Sequence, residues 1–244
     1  MLVIHSTPTG VIALSRTSQT ICQARLEGRK ALSEPEANAI CMEYGIPVAA
    51  FELAKNEHEA VKFAEQLGYP VVLKIVSPDI LHKSDAGGVI VNLRSNAEVR
   101  SAYAKILENA NKYNPSVRIT GVLVQEMAPK STEVIVGAIK DSQFGQTMMF
   151  GLGGIFVELL KDVTLKIAPI TEAEAVEMIT GVKAYPILKG YRNTIPADVD
   201  AITAILLNTS RLVMENPEIK ELDLNPVMVY EKGAKTVDAR IILE

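Results

Sequence analysis

YPVVLKIVSPDILHKSDAGGVIVNL, residues 69–93, is the stretch that decides the fold of this chain. An apolar, β-branched run carries Lys74 and leads into a loop that contains His82, and Gly87 and Gly88 precede a second apolar run from Val89. The ammonium of a strand lysine can meet phosphate oxygens, and glycines let backbone N–H groups approach a phosphate closely. A histidine in the same loop can accept a phosphoryl group. The segment therefore indicates a nucleotide site suited to phosphoryl transfer.

Lys74 has a second interpretation, because a lysine in an apolar strand also keeps a sheet edge soluble. The glycine pair that follows favours phosphate binding instead. Neither G-x-G-x-x-G nor G-x-x-x-x-G-K followed by Ser or Thr occurs in the sequence. We therefore expect a nucleotide site that is neither a P-loop nor a Rossmann site.

The composition is that of an ordinary globular protein, with 48% hydrophobic and 22% charged residues among 244. A formal net charge of −4 argues against nucleic acid or an anionic membrane as the main partner. No apolar run approaches the roughly 20 residues that a membrane-spanning helix needs. The two cysteines, Cys22 and Cys41, are far apart and form no metal motif. We therefore expect reduced thiols and a cytoplasmic location.

The alternation of strand and helix patterns predicts an α/β protein, with neighbouring strands (α+β character) in its second half. We expect an irregular N-terminal arm over 1–25, a first lobe over 26–127 and a second lobe over 128–244, with a cleft between the lobes. Helices are expected to begin at the capping residues Ser33, Asn56, Ser95 and Thr171, and a long amphipathic helix is expected around Asp198–Glu215. Strands are expected at 47–51, 71–76, 121–127, 133–140, 147–150, 220–230 and 236–243, and from Val89.

Near the C-terminus, LDLNP places Asp223 and Asn225 two residues apart, on one face of a strand. Asp238 lies on the returning strand, in TVDA. It reaches the same face if the turn has an even length or if Gly233 supplies a bulge. Two carboxylates and an amide oxygen are hard ligands suited to Mg²⁺ held jointly by protein and phosphates. The alternative is a set of polar positions on an exposed sheet face, although Asp and Asn are unfavourable inside strands.

Gln125, Glu126 and Met127 lie at the proposed junction of the lobes, where backbone and side chains could meet an adenine edge. Glu133 follows shortly and could accept hydrogen bonds from ribose hydroxyls. Either glutamate could equally be solvated, and spacing alone leaves both possibilities open.

Six segments in this order resemble a known family: PVVLKI, HKSDAGGV, LVQEM, EVIVGA, GGIFVELLKDV and LDLNP with VDA. They look like the ATP-grasp β chains of acyl-CoA synthetases that form a nucleoside diphosphate, over about residues 33–244. The nearer resemblance is to ADP-forming acetyl-CoA synthetases, and succinyl-CoA synthetase β chains are more distant. The succinyl-type chains have Glu where this chain has Asp223, and they lack a histidine at the position of His82.

The resemblance implies an ATP-grasp fold with ADP or ATP between two lobes and Mg²⁺ near the second lobe. It assigns the phosphate lysine to Lys74, the glycine loop to Gly87–Val89 and the hinge to Gln125–Met127. It assigns the ribose acid to Glu133, and the metal ligands to Asp223, Asn225 and Asp238.

The resemblance also implies a reaction, in which acyl-CoA, ADP and phosphate give acid, CoA and ATP through an acyl phosphate and a phosphohistidine. The CoA chemistry would reside in a partner of Rossmann type. Because this chain has no dinucleotide fingerprint and ends soon after Asp238, we expect it to be a separate nucleotide-handling subunit that needs a CoA-binding α subunit, in a complex of two α and two β chains. His82 would then be the catalytic residue that relays the phosphoryl group.

Two further hypotheses remain open at this point. A different ATP-grasp ligase could activate a carboxylate directly, as an acyl phosphate, and would need no histidine at position 82. A regulatory module could bind the nucleotide and transfer nothing. The intact set of Lys74, Asp223, Asn225 and Asp238 argues against that module.

Overall fold

Two antiparallel sheets, each backed by helices, organise the chain. The computed structural model describes residues 15–80, 82–154, 160–191 and 195–244. Residues 1–14 of the expected N-terminal arm lie outside these ranges. None of the described helices is long and apolar enough to cross a membrane.

The first sheet has four strands in the order β1-β4-β2-β3. Helices α3 and α4 pack on it around a core that includes Leu73, Ile75 and Ile106. Both helices begin at the expected caps, because Asn56 accepts from the backbone of the third helical residue and Ser95 does the same. The bounds are β1 Phe51–Ala54, α3 Glu57–Leu67, β2 Val71–Val76, β3 Val89–Leu93, α4 Asn96–Tyr113 and β4 Gly121–Glu126.

The second sheet has six strands in the order β10-β8-β5-β6-β7, and β9 pairs with β8. Its long helix, expected around 198–215, has Asp198 as its N-cap and buries Leu206 and Leu212 in the core against strands that include Phe150 and Leu224. The strands are β5 Thr132–Asp141, β6 Gly145–Leu152, β7 Val163–Ile167, β8 Ile219–Val229, β9 Ala234–Thr236 and β10 Ala239–Leu243. The helices are α5 Glu172–Gly181, α6 Tyr185–Leu188 and α7 Val199–Glu215.

The N-terminal helices pack on the second sheet, which differs from the sequence expectation. Helix α1 spans Arg16–Leu26 and α2 spans Glu34–Glu43. Ile21 and Ile40 belong to the core of the second sheet. The prediction of an irregular arm is therefore wrong over residues 16–25, and residues 26–46, expected in the first lobe, contribute to the second core. The first core draws its buried residues from positions 54–124.

The segment between α1 and α2 runs along the outer edge of β10. The Leu32 N–H donates to Ile241 O at 3.0 Å, and the Leu243 N–H donates to Lys30 O at 2.7 Å. These bonds join the start of the described chain to its end, and they cover an edge of the second sheet.

Two strand predictions also need correction. The strand expected at 47–51 begins at Phe51, and the residues before it reach β9 through a single bridge, Val48 to Thr236. The strand expected at 236–243 is interrupted at Val237 and Asp238. The interruption faces Pro226, which has no N–H to donate to the neighbouring strand.

Candidate nucleotide and metal site

The loop between β2 and β3 carries His82, and internal hydrogen bonds fix the end of the loop. The Gly88 N–H donates to Lys83 O at 2.7 Å, and the Ile75 N–H donates to Gly88 O at 2.7 Å. Gly87 has a φ of +60°, and its carbonyl accepts from the Asn109 amide at 2.8 Å. The glycine pair therefore has a structural reason to be there, and it holds the exposed His82 on a defined turn.

The three predicted metal ligands share one face of the second sheet. Asp223 lies opposite Arg240 in the β8–β10 ladder. The Asn225 N–H donates to Asp238 O at 3.0 Å, which places these two residues opposite each other one step further along. Because residues two apart on a strand point to the same face, Asp223, Asn225 and Asp238 point the same way. The interrupted strand thus still presents Asp238 beside the other two.

The two aspartates of this face are held in surroundings that disfavour their charged forms. Burial raises the pKa of Asp223, and the negative charges of Glu221 and Asp238 add to the effect, while Arg240 opposes it. Burial and the charge of Glu34 raise the pKa of Asp238, against the opposing charges of Lys74 and Lys83. Neighbouring acids that repel each other in this way favour a bound cation.

The donor chemistry fits Mg²⁺ completed by other oxygens. Within the described ranges, no group of three or more His, Cys, Asp or Glu side chains could hold a metal. A cation at this face would therefore take two carboxylates, the Asn225 amide oxygen and oxygens from a bound phosphate.

A cavity of about 1380 Å³ brings these residues together with the histidine loop. His82, Asp223, Asn225 and Asp238 all contribute to its wall, and so does the segment from Glu27 to Glu36. The catalytic residue and the metal ligands predicted from the sequence therefore face one space. The cavity lies where the β2–β3 loop of the first sheet meets the β8–β10 face of the second sheet.

The predicted phosphate lysine is buried next to this cavity. Lys74 is 4% exposed, and its ammonium donates to Glu34 Oε1 at 2.7 Å and to Val237 O at 2.8 Å. The Lys83 ammonium lies 2.8 Å from Glu34 Oε2 and 3.3 Å from Asp238. Burial alone would lower the pKa of Lys83, but the carboxylates of Glu34 and Asp238 outweigh it and raise that pKa. Lys74 of β2 and Lys83 of the β2–β3 loop thus form ion pairs with acidic residues that pack with the second sheet.

The predicted hinge residues make further contacts between the lobes, one of them to the same Val237 carbonyl that Lys74 binds. Gln125 is fully buried and donates to Val237 O at 3.1 Å. Glu126 accepts from the Ala50 N–H at 2.8 Å and pairs with Lys235 at 2.7 Å. The Met127 N–H donates to Pro70 O at 3.1 Å.

Glu133 is exposed at the start of β5, beside the backbone of Gly153. In the described part of the chain, Glu133, the hinge residues Gln125, Glu126 and Met127, Lys74, and Gly87, Gly88 and Val89 do not line the cavity that His82 faces. The structure therefore brings the predicted catalytic and metal residues together at one cavity, and the predicted nucleotide residues lie outside the wall of that cavity.

Sequence reasoning missed Glu34. An acidic residue directly after the N-cap Ser33 is typical of a helix start, where it complements the helix dipole, so nothing marked it as unusual. Its burial at 7% exposure and its two lysine partners come from the packing of α2 against the loop of the other lobe. The GGIFVELLKDV segment, which contributes to the family resemblance, includes residues 155–159, and these lie outside the described ranges.

Comparison with known proteins places this geometry in a family. The model of the ATP-grasp domain matches residues 23–243. The β subunit of ADP-forming acetate–CoA ligase I from Pyrococcus furiosus is 51% identical over 230 residues, 94% of this chain and 99% of that subunit. The ADP-forming acetate–CoA ligase I of Archaeoglobus fulgidus is 48% identical, and the match covers 93% of this chain but 33% of that protein.

Solved structures show the same fold. The dinucleotide-forming acetyl-coenzyme A synthetase 1 of Ca. Korarchaeum cryptofilum, in complex with coenzyme A, Ca-AMPCP and HgCl⁺, superposes with a TM-score of 0.92 at 53% identity, covering 93% of this chain and 100% of that one. A second structure of that synthetase, with coenzyme A and Mg-AMPPCP, has a TM-score of 0.83 at 50% identity over the same shares. Its phosphohistidine segment points towards the nucleotide-binding site.

The two-sheet fold and the matching domain model define the class: the protein is an ATP-grasp protein. Within that class, the chain belongs to the family of the β subunits of ADP-forming acetate–CoA ligases.

Proposed function

We propose that this chain is the nucleotide-handling β subunit of an ADP-forming acyl-CoA ligase, in which it moves a phosphoryl group between a phosphohistidine and ADP. The complete reaction converts acyl-CoA, ADP and phosphate into acid, CoA and ATP. One observation carries the proposal: His82 and the oxygen ligands Asp223, Asn225 and Asp238 line the same cavity. Related proteins of this family are named for ADP-forming acetate–CoA ligation.

His82 would act as a relay in this reaction. An imidazole nitrogen of His82 attacks the phosphorus of the partner's phosphohistidine, so one N–P bond forms on this chain as the other breaks. A terminal phosphate oxygen of ADP then attacks the same phosphorus, which yields ATP and returns the free imidazole. The exposed position of His82 on the β2–β3 loop supports this assignment, because an incoming phosphohistidine can reach it from the cavity.

The nucleotide would be ADP or ATP, bound between the lobes, with the boundary between them near residues 127 and 128. Lys74 and the Gly87–Val89 turn would face its phosphates, Gln125–Met127 its base and Glu133 its ribose. Asp223, Asn225 and Asp238 would hold Mg²⁺, which supplies positive charge to the phosphate oxygens. The nucleotide complexes of the Korarchaeum synthetase support this part of the proposal.

The partner would be a CoA-binding α subunit, in a complex of two α and two β chains. The Pyrococcus relative is named as a β subunit, and the single-chain Archaeoglobus ligase is about three times as long as the matched region. Both observations support a second component that acts together with this region. The free thiols of Cys22 and Cys41 support a reducing compartment, the cytoplasm.

Replacing the histidine tests the relay. In the complex assembled with the α subunit, we expect His82→Ala to abolish acid-labile labelling of this chain by ATP with a radioactive γ-phosphate. We also expect ATP formation from acetyl-CoA to fall by at least a hundredfold, because the phosphoryl group loses its acceptor.

His58→Ala is the matched control, since His58 is exposed on α3 and away from the cavity. Labelling and turnover should persist in that variant. If the wild-type chain never carries acid-labile label and His82→Ala turns over normally, the relay assignment is wrong.

A further inference from the structure

The ammonium of Lys83 forms an ion pair with Asp238, one of the carboxylates that we assign to the metal. It lies 3.3 Å from Asp238 and 2.8 Å from Glu34 Oε2, with the Lys83 side chain 19% exposed. Asp238 is thus already paired with a cation supplied by the protein. That cation is the direct chain neighbour of His82.

Glu34 is built to hold this ammonium. Its side chain is 4% exposed, and one carboxylate oxygen takes the hydrogen bond from Lys74 at 2.7 Å. The other oxygen, Oε2, is buried and accepts no well-aligned hydrogen bond. At 2.8 Å the Lys83 ammonium is already at ion-pair distance from Oε2, so Glu34 can keep Lys83 when its contact with Asp238 is broken, and only the alignment of the N–H bond has to improve.

Lys74 and Lys83 offset the charges of Glu34 and Asp238. Further along β8 and β10, Arg240 lies opposite Asp223 but forms its ion pair with Glu221. A divalent cation at Asp238 adds two positive charges to this group. The ammonium of Lys83 is the nearest like charge, so it must leave Asp238 when the cation arrives, and Glu34 Oε2 is the acceptor already within reach.

We propose that Lys83 is a positioning residue that occupies Asp238 whenever the divalent cation does not, and that Glu34 retains its ammonium when the cation takes that carboxylate. The proposal rests on the metal site proposed above. Because Lys83 adjoins His82, exchanging one cation for the other at Asp238 ties metal loading to the position of the histidine loop.

The proposal predicts that removing the positive charge of Lys83 increases the affinity for a divalent cation. Removing a lysine from a nucleotide cleft normally weakens binding, but Lys83→Met should tighten the binding of a divalent cation by roughly tenfold, because it removes a competitor and a repulsion at Asp238. Glu34→Gln should weaken cation binding, because Lys83 is then left with Asp238 as its sole carboxylate partner among those described.

Lys74 offers a matched control. It carries the same charge and binds the same Glu34, but its bonds in the described structure go to Glu34 and Val237 rather than to Asp238. We therefore expect Lys74→Met to change the cation affinity less than Lys83→Met does. Lys83→Arg keeps the charge and should stay near the wild-type affinity.

The experiment is a titration of the full, nucleotide-free chain with Mn²⁺, in which electron paramagnetic resonance measures the free ion. Mn²⁺ accepts the same oxygen ligands as Mg²⁺. The series comprises wild type, Lys83→Met, Lys83→Arg, Lys74→Met, Glu34→Gln and Asp238→Asn, each checked for folding by circular dichroism. Lys83→Gln replaces Lys83→Met if that variant does not fold.

The outcomes distinguish an error in the metal site from an error in the role of Lys83. Weaker Mn²⁺ binding in Asp238→Asn together with tighter binding in Lys83→Met supports the proposal. If Asp238→Asn binds more weakly and Lys83→Met does not bind more tightly, the metal site stands and the role of Lys83 is overturned. Equal tightening by Lys74→Met would show a general charge effect and would also overturn it. If Asp238→Asn has no effect, the metal site itself is misassigned and the inference falls with it.

Discussion

Two ion pairs of equal length join the first sheet to the rest of the molecule, and they lie in opposite surroundings. Lys74 of β2 pairs with Glu34 of α2 at 2.7 Å, with side chains 5% and 4% exposed. Glu126 at the end of β4 pairs with Lys235 of β9, also at 2.7 Å, with side chains 26% and 40% exposed. Distance alone would make them equivalent.

The difference lies in what happens to the remaining charge when one partner is lost. At the buried pair, a charge left behind has no water to solvate it, so breaking the pair is costly. At the hinge, solvent and salt screen whatever remains. Glu34 of the buried pair also lines the cavity of the proposed metal site, whereas Glu126 and Lys235 are not among the described residues that line it. We expect the first contact to dominate the coupling of the lobes.

Removing the buried carboxylate is the strongest test of this comparison. Glu34→Ala leaves the buried Lys74 ammonium with the Val237 carbonyl as its remaining hydrogen-bond partner among the described residues, and we expect it to lower the free energy of unfolding by about 3–5 kcal/mol. Lys235→Met, which breaks the exposed pair, should lower it by less than about 1 kcal/mol. Urea unfolding followed by circular dichroism measures both. Similar losses in the two variants would show that burial does not set their value.

A second variant perturbs the buried contact without removing a charge. A Cβ at Gly88 would collide with Cγ2 of Ile75 and would lie 3.0 Å from Lys83 O. We expect Gly88→Ala to cost about 1–3 kcal/mol, because the core side chain of Ile75 cannot move away freely.

Gly145→Ala is the control for Gly88→Ala. Gly145 has a φ of +73° and open space at the position that a Cβ would occupy, so alanine there costs only about 1 kcal/mol of backbone strain. Chemical denaturation of both variants decides the matter. If Gly88→Ala lowers the free energy of unfolding no more than Gly145→Ala does, the β2–β3 loop and Ile75 accommodate the added methyl group by moving.

The exposed pair of Glu126 and Lys235 should affect mainly the pH dependence of the free energy of unfolding. Burial alone would raise the pKa of Glu126, but the hydrogen bonds from Lys235 and the Ala50 N–H outweigh it and hold that pKa below its ordinary value of 4.5. A lowered folded-state pKa contributes stability that is present above the unfolded-state pKa and is lost as the pH falls through the folded-state value.

We therefore expect Glu126→Gln to lose less stability than wild type on acidification from about pH 5 downward, by at most about 1 kcal/mol. Unfolding free energies measured across that range test this. Glu52→Gln, at an exposed position on the neighbouring strand β1, should follow the wild-type curve. A Glu126→Gln curve parallel to wild type would rule out a contribution from this pair.

The elements that sequence analysis predicted are those fixed by local interactions. The helix starts at Ser33, Asn56, Ser95, Thr171 and Asp198 depend on residues within one turn, and the structure confirms each. Helix α1 was missed because only Thr17, Ile21 and Ala24 of it are buried, too few apolar positions to show a period. Strand β7 was missed as well, since it leaves Leu165 and Ile167 exposed at the end of the sheet.

The same distinction applies to the site. Asp223 and Asn225 share a face because of strand geometry, which a sequence reveals directly. The position of Asp238 required a strand pairing, and the prediction could state only the condition for it. Glu34 meets Lys74 across 40 residues of chain and between two cores, a contact that no local pattern encodes.

The pairing of Lys30–Leu32 with β10 has a consequence for the order of events during synthesis. Buried residues of the second core come from positions 21–46 and 134–243, on both sides of the first core at 54–124. The first core is complete once β4 has left the ribosome, whereas the second must wait for the last strand. Until then, α1 and α2 have exposed apolar faces and no sheet to cover them. In pulse proteolysis of ribosome-bound chains, we expect residues 54–124 of the first core to become protected from cleavage at shorter chain lengths than helices α1 and α2, although these helices are synthesised earlier.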